Sequence, residues 1–223
     1  LTQRRMLALP LSDGARLFQR YEEKRQAKKK GRLLNLLLMR VPVVRPDRFL
    51  TRTMHLVRPL FSRAAVGLWF LCLATSLLIV AARWQEITSP LASLLTISNL
   101  PALWTLLVAL KIIHEFGHAY ACKHFGGHVP EMGAYFILLT PCAYVDASAS
   151  WGFPNRWRRV AVALAGMYFE SIAAMTALAG WVMTPPGALH DACHHAMVLS
   201  TVVTIAFNVN PLMRYDGYYV LSD

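Results

Sequence analysis

The chain has 223 residues, 56% of them hydrophobic, and a mean hydropathy of +0.39, more apolar than an ordinary soluble domain. Its net charge of +11 is lopsided: residues 1–63 hold 16 of the 23 Lys and Arg but four of the 12 Asp and Glu. Basic residues gathered just ahead of the first apolar run follow the positive-inside rule, so no nucleic-acid partner is implied, and four cysteines without paired spacing imply no disulfide framework.

Residues 1–33 read as a solvated, partly helical linker, with the run KRQAKKKGR facing lipid headgroups. The next stretch, RLLNLLLMRVPVVRPDRFLTRTMHLVRPLF, mixes apolar residues with regular arginines, as an interfacial segment does. Pro42, Pro46 and Pro59 divide it into short pieces. Residues 1–60 are therefore expected to be a basic cytoplasmic or interfacial segment ahead of a membrane core over 61–223. No cleavable signal pattern opens the chain, which starts at Leu1 and stops at Asp223 as a piece of a longer protein would.

Four apolar runs follow, at about 64–82, 101–123, 160–183 and 196–213, each close to the length a helix needs to cross a hydrocarbon core. They predict an all-α membrane protein with about four transmembrane helices. The second run has a start signal in Ser98-Asn99-Leu100-Pro101 and a stop signal in Gly126-Gly127. Between the second and third, at about 130–150, the apolar stretch 132–145 is too short to cross and is interrupted at Thr140-Pro141. It predicts a short re-entrant, β-hairpin-like loop dipping in from the cytoplasmic side. Charge gives the topology. With the amino end cytoplasmic, Lys123, Arg156, Arg158, Arg159 and Arg214 all fall inside, and TPPGALHDACHH, which has no Lys or Arg, falls outside. The expected location is the cytoplasmic (inner) membrane, crossed several times.

The second run carries KIIHEFGHAY, residues 111–120. On a helix, His114 and His118 share a face, and Glu115 stands beside them. This is the HExxH pattern, two zinc ligands and a general base for a zinc-activated water. Three ionisable groups in one turn of a membrane segment are costly enough to imply a function. The 13 residues from Pro101 to His114 span about 20 Å of helix. In a core of about 30 Å, that puts the site inside the bilayer, towards the cytoplasmic side. A tetrahedral zinc needs a third protein ligand, for which Asp146, Glu170 and Asp216 are candidates. Asp216 follows the break of the fourth run at Asn210-Pro211, at the depth and side of HEFGH. Glu170 begins a third of the way into its own run, and Asp146 sits in the re-entrant loop, where it suits a supporting role.

HEFGH together with Asn208-x-x-Pro211-x-x-x-x-Asp216-Gly217 resembles the site-2 protease family of intramembrane zinc metalloproteases, peptidase family M50. The resemblance covers about residues 45–223. It implies one zinc per chain held by His114, His118 and Asp216, with Glu115 as base and Asn208 as a substrate or oxyanion contact. RVAVALAGMYFE is similar to the family's middle helix, but Met167 and Glu170 stand where that helix usually has Pro and Asn. YVDASASW and NPLMRYDGYYVLSD look like the subgroup found with efflux-adaptor domains and peptide-export systems. Expected partners are then a membrane-embedded or exported peptide substrate, the lipid bilayer, and an efflux-adaptor or ABC-type exporter. Substrate would be held extended by strand addition in the loop, near Phe136 or Leu138.

Two other readings compete. A non-proteolytic zinc-binding subunit of an export system would use the same ligands but need no base. A di-iron hydroxylase or desaturase would use histidine boxes, for which His124/His128 and His190/His194/His195 are available. Topology opposes the second, because the last box falls in the external loop, across the membrane from the others. His190, His194 and His195 are then expected to be solvated loop residues, and His124 and His128 loop residues near the site entrance.

Overall fold

In the computed structural model, which describes residues 38–137, 140–212 and 215–222, the chain opens with strand β1 (Leu38–Val44) and the short helix α1 (Asp47–Val57). The linker expected over 1–33 lies outside the described residues. Ser62 caps the next helix, α2 (Arg63–Ala82), by accepting a hydrogen bond from the Ala65 N–H. No residue of α2 is buried, although the helix is almost wholly apolar, which suits a surface facing lipid. It is tied to the rest where Trp69 Nε1 donates to Ser171 Oγ at 2.9 Å.

Two short helical turns, Trp84–Thr88 and Leu91–Leu94, lead to α3 (Leu100–His124). Asn99 stands at its N-cap without a side-chain cap bond, and Pro101 fills the first turn as expected. The stop at Gly126-Gly127 is a Schellman turn. Gly126 takes φ +89° and donates to the Lys123 carbonyl, while the Gly127 N–H reaches back to the Cys122 carbonyl at 2.9 Å.

The expected hairpin is present as β2 (Met132–Ile137) and β3 (Thr140–Val145), but it has a third strand. β1, from the segment read as interfacial, pairs antiparallel with β2, so the order is β1-β2-β3. Phe136 therefore lies in the central strand, paired with Met39 on one side and Pro141 on the other, where no substrate strand can be added. Leu138 lies outside the described residues.

Helix α4 (Arg156–Met183) starts at Asn155, whose side chain accepts from the Trp157 N–H at 2.8 Å. Helix α5 (Ala188–Val203) runs into a π turn (Thr204–Asn208), and the short helix α6 (Asp216–Ser222) follows. Among the described residues, α2, α3 and α4 are each long and apolar enough to cross a membrane. The fourth expected run differs. Its helix begins at Ala188, inside the segment read as an external loop, and reaches Asn208 only through the π turn. His190, His194 and His195 are thus helical. His194 is buried, donating from Nε2 to the Ile87 carbonyl at 2.9 Å and lying beside the Trp181 ring. A histidine with an acceptor and an aromatic wall tolerates burial that hydropathy prices as forbidden. His124 is also no loop residue: it ends α3, stacked on Phe61 at 4.7 Å.

Leu50 of α1 is fully buried in a cluster with Ala119, Cys122, Val129 and Val162, so the segment after residue 38 is built into the core around the end of α3. Asp47 fastens that corner. Its Oδ1 accepts from Lys123 Nζ at 2.8 Å and from the Val129 N–H at 3.1 Å, and His128 Nδ1 lies 3.0 Å away. Burial alone would raise its pKa, but the bonds from Lys123 and Val129 outweigh that and hold the carboxyl below its ordinary value. A depressed carboxylate stabilises the fold fully above about pH 4 and loses that contribution as pH falls through its folded value. Asp47→Ala should cost about 1–3 kcal/mol near pH 7. Thermal unfolding in detergent should show the gap to wild type closing as the pH is lowered below about 4.

Candidate metal centre

Lys111, His114 and His118 follow one another on α3 at spacings of three and four, forming a single stripe. Facing it on α4 are Val162, Gly166 and Glu170, one turn apart. The helices meet closely through small residues, as membrane helices do. A Cβ on Gly117 would strike the Ala165 carbonyl. One on Gly166 would strike His118 Nε2 and lie 2.7 Å from His114 Nε2.

This contact orients both imidazoles. His118 Nδ1 donates to the Val162 carbonyl at 2.7 Å, and His114 Nδ1 donates to Glu170 Oε2 at 2.9 Å. Each ring carries its proton outward, so both Nε2 lone pairs point inward, 3.1 Å apart.

The third group arrives from the break after α5. Pro211 cannot continue a helix, and Asn210 Oδ1 accepts from the Leu212 N–H to close the turn. The start of α6 is then pressed against the π turn. A Cβ on Gly217 would collide with the Val209 carbonyl, so only glycine after Asp216 allows this approach. The Asp216 carboxylate ends 3.0 Å from His114 Nε2 and 3.3 Å from His118 Nε2.

These three residues can hold a metal ion. Among the described residues, they form the one group of such side chains whose ligand atoms all lie within 4.8 Å of one another. With both rings in the tautomer that these bonds favour, two lone pairs and a carboxylate converge, and Asp216 Oδ2 is buried without a hydrogen-bond partner among the described residues. That arrangement is repulsive unless a cation sits in it. Ligands about 2 Å from a tetrahedral zinc stand about 3.3 Å from each other, close to the separations found here. The donor set fits zinc.

A cavity of about 460 Å³ opens onto the centre, lined by Glu115, His118, Asp216, Tyr144, Val145 and Asp146 among others. Glu115 is half-buried there, next to the ligands but not among them. Asp146 accepts from the Ser148 N–H at 3.1 Å and stays outside the ligand group. Glu170 is fully buried behind His114 rather than beside the ligand atoms. Asn208 is also behind His114: it is 2% exposed, and both ends of its amide are engaged, Nδ2 with Glu170 and Oδ1 with Lys111. Sequence reasoning missed Lys111 and Gly166 here. The signal for Lys111 was its position one turn before His114 on the same stripe. Gly166 lies against the Nε2 atoms of both imidazoles. Gly166→Ala should lower zinc affinity by about 10–100-fold or more while the helical content by circular dichroism stays unchanged.

No curated protein and no solved structure matches the chain. The family model for peptidase family M50 does, over residues 102–219, a stretch that includes His114, Glu115, His118, Glu170, Asn208 and Asp216. The match covers more than half of the chain, which therefore belongs to peptidase family M50, the membrane zinc metalloproteases.

Proposed function

We propose that this chain is an intramembrane zinc metalloprotease that hydrolyses peptide bonds of membrane-embedded or exported peptides, with Glu115 as the base. The observation that carries the reading is the meeting of His114, His118 and Asp216 at the floor of a cavity that Glu115 also lines. When bound, zinc would polarise the scissile carbonyl and bring the pKa of water down to about 7. Glu115 takes the proton of the attacking water and returns it to the leaving amine. Asp146 and Tyr144 form part of the wall against which a peptide would lie.

Helical substrates hide their amide bonds, so the segment to be cut must be extended. Among the described residues β3 pairs on one side only, with β2, and its residues Tyr144 and Val145 line the cavity, which supports strand addition along β3. The basic residues near the start of the chain support a multi-pass cytoplasmic-membrane protein with its amino end inside. The likeness of YVDASASW to the export-associated subgroup supports an efflux-adaptor or ABC-type exporter as partner.

The second reading is a zinc-binding export subunit that does not cleave. Glu115 opposes it, because a structural site needs no base. The test is cleavage of a reconstituted transmembrane peptide by the purified chain in lipid nanodiscs. Cleavage that stops with a zinc chelator and returns with added zinc supports the protease. Stoichiometric zinc without cleavage of any reconstituted or exported peptide supports the subunit.

A further inference from the structure

We propose that Glu170, supported by Asn208 and Lys111, is a positioning residue that fixes His114 and balances the charge of the metal centre. The inference rests on the zinc reading above, and its test separates the two.

Glu170 is 0% exposed in the middle of an apolar helix. Its Oε2 accepts two hydrogen bonds at 2.9 Å, from His114 Nδ1 and from Asn208 Nδ2. Asn208 accepts at Oδ1 from Lys111 Nζ at 3.3 Å. The chain of bonds leaves α3 at Lys111, crosses the π turn and α4, and returns to α3 at His114. Ser200 Oγ donates to the Glu170 carbonyl at 3.3 Å, tying α5 to α4 at the same level. The π turn widens the backbone at Asn208, and π turns commonly appear where a side chain must be re-aimed.

A network serving only packing would not need this charge. Glu170 Oε1 is buried without a partner among the described residues, a costly state for a carboxylate with no further role. A carboxylate behind a ligating imidazole does have one. It locks the ring orientation and makes Nε2 a stronger donor to the metal. Charge accounts for Lys111 as well. Zn²⁺ and Lys111 bring three positive charges to the centre, and Glu115, Asp216 and Glu170 bring three negative ones. A neutral cluster is what a low-dielectric site can hold. Asn208 acts as the link between Lys111 and Glu170 through the two ends of its amide.

The test uses the purified full chain, with zinc affinity measured by competition against a chromophoric chelator and ligand geometry by the absorption spectrum of the cobalt-substituted protein. Glu170→Gln keeps the size and removes the charge. It should weaken zinc binding by about 10–100-fold and shift the cobalt bands, with the thermal midpoint of the zinc-free protein unchanged. Asn208→Ala keeps the His114–Glu170 bond but cuts the link to Lys111, so it should show the same changes at a smaller size. If Glu170→Gln does not fold, Asn208→Ala decides alone. Wild-type affinity and spectrum in the variants overturn the inference while leaving the zinc centre intact. A wild-type chain that binds no zinc overturns the metal reading itself.

Discussion

Glu115→Gln should retain one zinc per chain and lose about 10²–10⁴-fold in kcat. Glu115 lines the cavity beside His118 and Asp216 but belongs to neither the ligand set nor the network behind His114. Glutamine has the same length and shape, so packing along α3 is undisturbed. It cannot take a proton from water, and that single step is the proposed role of the carboxylate. The loss should therefore fall on kcat, with KM and metal content near wild type. A Glu115→Gln protein that cleaves at the wild-type rate would remove Glu115 from the chemistry.

Asp216→Ala should nearly empty the site. Its two oxygens face both Nε2 atoms, and it is the only anion among the three ligands. Breaking a buried charge pair by removing one partner costs about 3–5 kcal/mol, equivalent to about 10²–10⁴-fold in affinity. Asp216→Asn separates charge from shape. The amide fills the same space and offers a neutral oxygen, so zinc affinity should fall between those of wild type and Asp216→Ala. Equal losses in the two variants would mean that charge carries the whole contribution.

The centre was largely legible because its chemistry is local or its spacing fixed. His114 and His118 share a face through helical periodicity alone. Asp216 was reachable because a helix that breaks at Asn210-Pro211 must end near the depth at which HEFGH lies. Spans were legible where apolar runs are unbroken, as in α2, or where clear start and stop signals frame them, as in α3. Other features depended on partners distant in sequence. β1 contains Arg40 and Pro42 and reads as interfacial, and its partners in β2 lie between 88 residues (Val44 to Met132) and 99 residues (Leu38 to Ile137) ahead. The start of α5 was hidden by polar histidines, since nothing local announces that His194 will find the Ile87 carbonyl 107 residues back. Glu170 showed itself as an unexpected charge, but not that it would sit behind His114 rather than beside Asp216. Gly166 is a space requirement, visible only once two helices are in contact.

The zinc content of the purified chain, by elemental analysis, tests the centre most directly. Wild type and Asp146→Ala should each hold one zinc per chain, because Asp146 lines the cavity without joining the ligand group. His114→Ala, His118→Ala and Asp216→Ala should each hold close to none. Full zinc in Asp216→Ala, with zinc lost from Asp146→Ala, would contradict the arrangement and move the third ligand to the loop after β3.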